Sequence, residues 1–410
     1  MANMISFDEA QKIVWDTALA HKVGIESVPV SAIDGRICAE TIEAPLSIQP
    51  FDNSAMDGFA VRLSDLERVA EDRPVTLRKT AVIAAGDAPP EVAIKSGECA
   101  HIMTGAPVPP GAEAVVPVEL VKQNGEYITF RAQPKSSTNI RRAGEDFKKG
   151  DQLLKAGDHL STAHILSLAT LGISEVKVFQ KPRAAFLATG KELVDDLSIS
   201  LKPGQVYNSN RPYGVAALEA MGADCIASRT LQDEAEHFSK TLDELKALDL
   251  DIIVSSGAVS AGEFDFVKEG LKQAGAEILY HKTRLKPGKP NLLALLPNGT
   301  LYFGLPGNPV ASAVGLRFFV DAAIRAMMGQ EPEKPIYAKA MNKFSKKSGL
   351  HMILKGRSES WEDGSLTIDL LDGQASFMVS PFLKMDCWVH IPEDVEMIKA
   401  GDVVDIYPLF

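Results

Sequence analysis

The segment DIIVSSGAVSAGEFD, residues 251–265, joins an apolar run to a loop of small residues that ends in carboxylates. The apolar run predicts a buried strand over Asp251–Ser255, and Asp265–Ala274 has the pattern of a helix. A loop that leads from a strand into a helix leaves backbone N–H groups free to bind an anion. Loop 255–262 is therefore a candidate phosphate site, with an ordinary tight turn as the alternative.

The same alternation of strand and helix patterns extends from residue 182 to residue 328. It predicts a parallel sheet that is covered by helices on both faces. Ligands of such sheets bind beyond the carboxyl ends of the strands, where loop 255–262 is expected to lie. The strands are predicted at Ala184–Ala188, Asp224–Ala227, Asp251–Ser255, Leu292–Leu296 and Leu301–Leu305, and the helices at Tyr213–Met221, Asp233–Leu248, Asp265–Ala274 and Pro309–Met328.

Two proline-rich segments belong to the same unit. KPGKP, residues 286–290, holds Lys286 and Lys289 on one stiffened loop, and LPGNP, residues 305–309, joins a strand to a helix. Two ammonium groups held close together repel each other, and a small dianion between them would remove that repulsion. An exposed turn with solvated lysines is the alternative for the first segment, and a plain strand-to-helix corner is the alternative for the second.

The remaining chain has a different texture. A capping box at Ser6–Glu9 predicts a helix from about Phe7 to Ala20, and a second helix is predicted at about Thr162–Leu171. Between these helices, short β-prone runs alternate with Pro/Gly turns, which predicts a small β-rich domain. The last 76 residues, from Pro335 onward, predict a second β domain, with strands at Leu366–Leu370 and Val403–Tyr407.

Composition limits the classes of function. The chain has 410 residues, enough for roughly three domains, and its formal net charge of −11 argues against nonspecific nucleic-acid binding. The cysteines lie far apart without a CxxC pair, which predicts reduced thiols rather than a zinc site or disulfides. We find neither a signal-peptide pattern nor a long apolar run, so we expect a cytoplasmic protein with no membrane contact. The cysteines are Cys38, Cys99, Cys225 and Cys387.

Seven segments, taken together and in order, resemble the molybdopterin molybdenumtransferase family, the molybdenum insertases that include the gephyrin E domain. The resemblance covers essentially the whole chain, and seven ordered motifs are far more specific than any one alone. The segments are Asp52–Ala60, Ile102–Pro107, Asn139–Asp146, Thr189–Leu193, Ser255–Asp265, Lys286–Pro290 and Leu305–Pro309.

The resemblance implies an elongated homodimer with a multidomain α/β plus β fold. The implied domains are a helical dimerisation region at 1–46 and 145–181, an inserted β-rich lobe at 47–144, and a central α/β molybdopterin-binding domain at 182–330. The central domain is expected to be similar to molybdopterin adenylyltransferases. A C-terminal β-barrel is implied at 331–410.

The implied reaction takes adenylylated molybdopterin and molybdate, inserts molybdenum at the dithiolene sulfurs and releases AMP, with Mg²⁺ as the cofactor. Contacts with the molybdopterin adenylyltransferase, and with molybdoenzymes or their chaperones, are also implied. Two alternatives stay open, namely a non-catalytic gephyrin-like scaffold and a molybdopterin adenylyltransferase. The chain lacks the long linker and extra domain expected of such a scaffold, and two added β domains make the adenylyltransferase less apt.

The resemblance also implies roles for individual residues. Lys286, Lys289 and Ser376 would hold molybdate, while Asp57 and Thr104 would reach the cleft from the inserted lobe, that of the partner subunit. Acidic residues would line the site, with Asp233 and Asp265 at the metal and Glu192 nearby. The residues expected to bind the pterin or nucleotide are Ser255, Ser256, Gly257, Ser260, Gly262, Pro306 and Asn308.

Two positions depart from the family pattern. Ala258 stands where the loop more typically has a second glycine, which restricts the backbone there. Leu350 stands where the C-terminal domain usually has an arginine of the oxyanion site. His351, Lys355 and Arg357 are the candidates to replace the charge of that arginine.

Overall fold

The computed structural model describes residues 4–232, 234–257 and 266–410. At its centre lies a six-stranded sheet in which the first four strands run parallel, as the strand–helix alternation predicts. Every residue of its strand Ile252–Ser256 is buried. In spatial order the strands are Asp224–Leu231, Arg183–Thr189, Ile252–Ser256, Leu301–Leu305, Leu292–Leu295 and Glu277–His281.

One part of the predicted sheet is wrong. Leu292–Leu295 runs antiparallel to Leu301–Leu305, because only a tight turn closed by a hydrogen bond from Leu296 N to Thr300 O separates them. A connection that short can join antiparallel strands but not parallel ones. The edge strand Glu277–His281, which pattern analysis missed, is antiparallel to Leu292–Leu295.

Helices cover both faces of the central sheet. Neighbouring residues of one strand point to opposite faces, so Ile253 joins one buried apolar cluster and Val254 joins the other. The predicted long helix after LPGNP is present as a continuous helical run with a π-turn in its middle. The helices are Asn210–Ala220, Ala235–Lys246, Phe266–Gln273 and the run Pro309–Gly315, Leu316–Val320, Asp321–Met327.

The inserted segment folds as a second six-stranded sheet, which confirms the predicted β-rich lobe. Its own apolar cluster includes Phe59, Leu77, Ile128 and Phe130, all of them buried. In spatial order the strands are Ala114–Pro117, Gly58–Val61, Glu98–Ile102, Val75–Ile83, Tyr127–Phe130 and Val121–Asn124.

The N-terminal region contains fewer helices than its predicted description as a helical region suggests. Its helices within the described residues are Phe7–Ala20, where Ser6 Oγ accepts from Glu9 N at 3.0 Å, and Thr162–Thr170. The first of these packs against the central-domain helix Asp321–Met327. A ladder of Ile25–Pro29 with Glu175–Phe179 forms much of the rest of this region.

The C-terminal segment closes into a five-stranded barrel, as predicted. Closure follows because His351–Ser360 pairs with both Leu366–Leu370 and Cys387–Ile391. The other two barrel strands are Ile336–Ala340 and Val403–Pro408. A short strand of the central domain, Leu285–Lys286, adds to the barrel in parallel, with Leu285 opposite His351. The barrel is thus tied directly to the start of the KPGKP loop.

The remaining elements are short. They are the strands Ile42–Glu43, Asn53–Ser54, Ile140–Arg141, Gln152–Leu154, Leu193–Val194, Val206–Tyr207, Phe344–Ser345 and Met397–Ile398, and the 3₁₀ turns Val30–Ala32, Leu63–Leu66, Val118–Leu120 and Ser380–Leu383.

A buried ion pair network also joins the barrel to the central domain. Arg317, in the π-turn of the long helix, is almost fully buried. Its guanidinium donates to Asp321 Oδ2 at 3.0 Å, to both carboxylate oxygens of Glu333 at 2.7 and 2.8 Å, and to Pro408 O at 3.1 Å. Helix, interdomain connection and last barrel strand are therefore held by one planar donor group.

All four cysteines are free, and Cys38, Cys99 and Cys387 are buried, in line with the prediction of reduced thiols. Among the described residues, no helix combines the length and the apolar character that a membrane crossing requires.

Two buried histidines predict sensitivity of the fold to acid. His351 Nε2 and His390 Nδ1 lie 3.2 Å apart on paired barrel strands, against the ring of Phe7. Burial lowers the pKa of His351 to about 4, and burial also holds the pKa of His390 well below its ordinary value of 6.5. The unfolded chain binds these protons near pH 6.5 while the folded chain does not. Stability is therefore unaffected above that pH and falls below it.

We predict that the unfolding free energy decreases between pH 6.5 and pH 4 by about 1.4 kcal/mol per pH unit for His351. Urea unfolding at pH 7, 6 and 5 measures this slope. His351→Gln should reduce the slope and leave the part that is due to His390, whereas His237→Gln, a change at an exposed histidine, should leave it as in the wild type. Equal slopes for the wild type and His351→Gln would contradict the assignment.

Candidate active site at the carboxyl edge of the central sheet

Strand direction brings the predicted site segments to one edge of the central sheet. The strands that end at Thr189, Ser256 and Leu305 are parallel, so their following loops emerge together. The antiparallel strand begins at this same edge, because Leu292 pairs with Gly304. KPGKP, which precedes Leu292, therefore lies at the same edge as these loops although its strand runs the other way.

The side chain of Asn210 links two of these loops. Its Nδ2 donates to Ser256 Oγ at 2.6 Å and to Gly307 O at 2.8 Å. Ser256 Oγ in turn donates to Pro306 O at 3.4 Å. Both Ser255 and Ser256 are buried. The Ser256 hydroxyl is used in hydrogen bonds that hold the two loops together.

Gly257 marks a close approach of two backbones. Its φ of +105° is rare for residues with a side chain, and a Cβ there would lie 2.6 Å from Thr189 O and closer still to Thr189 Oγ1. Gly257 N donates to Leu305 O at 2.9 Å, which continues the strand pairing one residue further. Gly307 lies alongside, since a Cβ there would be 3.5 Å from the Cα of Gly257.

Buried polar groups shape the KPGKP loop from within. Asn291 Nδ2 donates to Gly288 O at 2.6 Å and to Thr283 Oγ1 at 2.7 Å, and Thr283 N donates to Lys289 O at 3.0 Å. Asn291 and Thr283 are both buried, while Lys286 and Lys289 are exposed. The loop is thus fixed by its backbone and leaves its two cationic side chains accessible.

Three segments meet at the start of the helix that follows LPGNP. A Cβ on Gly288 would lie 3.7 Å from Ala311 O, so the KPGKP loop packs on the first turn of this helix. Val310 N donates to Ser376 O at 3.2 Å, which brings the predicted C-terminal loop to the same turn. The structure therefore brings together Ser256, Gly257, Pro306, Asn308, the KPGKP loop and Ser376, as the sequence predicts.

The electrostatics of this edge favour an anion. Among the residues that the structure describes, neither Lys286 nor Lys289 has a carboxylate within ion-pair distance. Two exposed ammonium groups on one fixed loop can bind a small oxyanion through charge-assisted hydrogen bonds. The arrangement suits a multiply charged oxyanion better than an apolar ligand.

The acidic positions are only partly described. Glu192 follows Thr189 at the same edge and is exposed, and its carboxylate folds back to within 3 Å of where a Cβ of Gly190 would lie. Asp233, Ser260, Gly262 and Asp265 lie outside the described residues, as does the departure at Ala258. The metal assignment to Asp233 and Asp265 thus stays a prediction, and residues 4–232, 234–257 and 266–410 hold no cluster of three or more potential metal ligands.

Asp57 and Thr104 form a pair in the inserted lobe. The carboxylate oxygen Asp57 Oδ1 accepts from Thr104 N at 2.7 Å and from Thr104 Oγ1 at 2.8 Å. Both bonds lower the pKa of Asp57, and the bond from the backbone N–H of Thr104 has the larger effect. The structure brings the two residues together, but within the described part of the chain no hydrogen bond or ion pair joins them to the central sheet.

Two candidates for replacing the missing arginine at Leu350 are wrong. His351 is buried against His390 and Phe7, where its burial disfavours a positive charge. Lys355 is buried and its ammonium is engaged by backbone carbonyls. Arg357 is exposed on the barrel, opposite Asp369 in the strand register.

Sequence reasoning missed Asn210 and Asn291, the two carboxamides that fix the loops. Asn210 starts a helix within the polar run Asn208–Asn210, a pattern that predicts a helix cap and no more. Asn291 follows Pro290 immediately before a buried strand, which gives no signal of its own. Their roles depend on contacts between residues distant in sequence.

Comparison with known families covers nearly the whole chain. Residues 5–172 match the family described as the MoeA N-terminal region (domain I and II), and residues 185–326 match a probable molybdopterin binding domain. Residues 337–409 match the MoeA C-terminal region (domain IV).

Relatives and solved structures of similar length also match. A molybdopterin molybdenumtransferase of Haemophilus influenzae is 34% identical over 99% of this chain and 98% of its own length. One of Synechococcus elongatus is 30% identical, with 99% and 100% covered. A molybdopterin biosynthesis MoeA structure from Pyrococcus horikoshii superposes with a TM-score of 0.84 at 27% identity, covering 98% of this chain and 99% of that one.

Two glycines at the edge offer a matched test of the geometry. Gly257→Ala forces a side chain into a left-handed conformation against Thr189, which should cost about 2–4 kcal/mol of unfolding free energy. Gly307→Ala adds a Cβ at ordinary contact distance, 3.5 Å from Gly257, and should change stability far less. Urea unfolding of both variants measures the difference. Equal losses would contradict the described approach of Gly257 to Thr189.

Proposed function

The chain belongs to the molybdopterin molybdenumtransferase family, the molybdenum insertases of molybdenum cofactor biosynthesis, and we propose that it joins molybdate to adenylylated molybdopterin with release of AMP. The observation that carries this proposal is the meeting of the KPGKP loop, LPGNP and the Ser376 loop at one helix start. The convergence supplies exposed cations where a dianion and a phosphate ester would have to lie side by side.

Lys286 and Lys289 hold molybdate in this proposal, and Ser376 contributes a hydroxyl. Asn291 and Thr283 fix the lysine loop from below, so the cations need little reorganisation when the anion binds. Cations fixed in place before reaction stabilise developing charge more effectively than mobile water does. Binding the anion beside the dithiolene also turns a bimolecular step into an effectively unimolecular one, which lowers the entropic part of the barrier.

The nucleotide and pterin side of the substrate is assigned to loop 255–262 and LPGNP. Ser260 and Gly262 would offer backbone N–H groups to the phosphates, beside Gly257, Pro306 and Asn308. Mg²⁺ is the proposed cofactor, held by Asp233 and Asp265 with Glu192 nearby, and when bound it would supply charge neutralisation at the phosphates.

We also propose that the protein acts as a cytoplasmic homodimer. Asp57 and Thr104 would then complete the site of the partner subunit from the inserted lobe. Their mutual hydrogen bonds and their exposure on the inserted lobe support such a role. Free cysteines support a reducing compartment. Contacts with the adenylyltransferase that supplies the substrate, and with molybdoenzymes or their chaperones, belong to the same proposal.

Removal of one site lysine should weaken molybdate use. We predict that Lys286→Met or Lys289→Met raises the KM for molybdate by about 10- to 100-fold, the value of one charge-assisted hydrogen bond. AMP release from adenylylated molybdopterin with molybdate and magnesium measures this change. Lys272→Met, on the surface of helix Phe266–Gln273, should leave the KM unchanged.

Three outcomes, two from that assay and one from an assay with ATP and free molybdopterin, would contradict the proposal. If the wild-type protein releases no AMP while a known insertase is active in parallel, the non-catalytic scaffold is the hypothesis that remains. Turnover of ATP on free molybdopterin would indicate an adenylyltransferase instead. Lysine variants with an unchanged KM would remove the two ammonium groups from the molybdate site.

A shared site predicts complementation between impaired variants. At molybdate concentrations well below the KM of the variant, Asp57→Asn and Lys286→Met would each impair both sites of their own homodimer. In a mixed dimer, one site would carry both changes and the other neither, so purified mixed dimers should recover about half of wild-type activity. AMP release by purified mixed dimers, with light scattering for mass, tests this. No recovery despite proven mixing would place both residues in the site of a single chain.

A further inference from the structure

Lys355 is a buried cation in the barrel strand His351–Ser360, with 1% of its surface exposed. Its ammonium donates to the backbone carbonyls of Gly373 at 2.6 Å, Met378 at 3.1 Å and Ala375 at 3.4 Å. An ammonium has three N–H donors, so all of them are used. Burial lowers the pKa of Lys355 to about 8, which still leaves it charged at neutral pH.

Gln374 fastens the same loop to the backbone of Lys355. Gln374 Oε1 accepts from Lys355 N at 2.9 Å, and Gln374 Nε2 donates to Lys355 O at 2.9 Å. The same Nε2 also donates to Leu371 O at 2.6 Å. Two side chains therefore hold the loop 371–378 to Lys355. The Lys355 ammonium binds carbonyls of the loop, and the Gln374 carboxamide of the loop binds the backbone of Lys355.

The clamped loop carries Ser376 to the candidate site. The carbonyls of Ala375 and Met378, which flank it, turn inward to Lys355. Ser376 O accepts from Val310 N at the start of the helix after LPGNP, so the loop is fixed at its outer side as well. Phe377, next in the chain, is 70% exposed, which shows that this part of the loop faces outward.

Burying an ammonium group carries a large desolvation penalty, so it is an unfavourable way to fix a loop. Its desolvation offsets much of what its hydrogen bonds contribute, and an apolar side chain of similar length fills such a space at lower cost. Stability of the barrel alone therefore explains Lys355 poorly. Orientation of a loop through three convergent carbonyls explains it better, since supporting residues of this kind set the geometry of binding groups.

We propose that Lys355 and Gln374 are positioning residues for the oxyanion site, holding Ser376 where it contacts molybdate. This inference rests on the proposed function in one respect, the assignment of Ser376 to molybdate. Neither residue touches the anion, and both act through the loop 371–378. Loss of either clamp should release the loop and weaken the binding of molybdate while the barrel stays folded.

The test measures loop order and molybdate affinity separately. Hydrogen exchange should become faster at Val310 N and across residues 373–379 in Lys355→Met, and the Kd for sodium molybdate by titration calorimetry should rise about 10- to 100-fold. Gln374→Leu keeps the ammonium and should give the same two changes. It carries the test if Lys355→Met does not fold, which circular dichroism detects.

Two further variants separate positioning from general stability. Lys355→Arg keeps a buried cation and should recover part of the affinity. Lys339→Met removes an exposed lysine from another barrel strand, Ile336–Ala340, and should leave both the exchange and the Kd unchanged. A folded Lys355→Met or Gln374→Leu whose loop loosens without a change in Kd would overturn the proposal.

Failure of this inference differs from failure of the proposed function. Wild-type protein that binds no molybdate would defeat the function, and with it the role of Ser376. Wild-type protein that binds molybdate, together with clamp variants that bind it equally well, would defeat the positioning role alone.

Discussion

The carboxamide of Asn210 is the contact on which the site depends most. Its Nδ2 reaches both the Ser256 hydroxyl and the Gly307 carbonyl, and so fixes the loops of two adjacent parallel strands at one separation. With these loops fixed, Gly257 can approach Thr189 at a distance that no side chain would allow. The helix that starts at Pro309 therefore lies beside residues 255–257. The KPGKP loop and the loop that carries Ser376 both contact the first turn of that helix.

The directions of the strands decide which side chains reach the site. The antiparallel strand Leu292–Leu295 delivers the lysine loop to an edge otherwise formed by parallel strands, and the short strand Leu285–Lys286 connects that loop to the barrel. The barrel returns a second loop, with Ser376, to the same helix turn. Parts from distant regions of the chain thus surround a single place that carries two exposed lysines. An oxyanion is the ligand that such a place favours.

Much of this could be predicted from the sequence, because local patterns encode local structure. Helix Phe7–Ala20 was expected from its capping box and periodicity, and the strand at Ile252–Ser256 from its apolar run. The antiparallel strand was missed although the turn before Leu301 was short enough to require it. Asn210 and Asn291 act across long sequence separations. The inward turn of Lys355 could not be inferred, because an isolated lysine in a strand normally faces water.

The most direct test is anomalous diffraction from a crystal soaked in tungstate, an electron-dense analogue of molybdate. The account predicts one strong peak at the start of the helix after LPGNP, in contact with the side chains of Lys286, Lys289 and Ser376. It would be contradicted by a peak elsewhere, or by those two lysines pointing apart into solvent while the anion is absent from this edge.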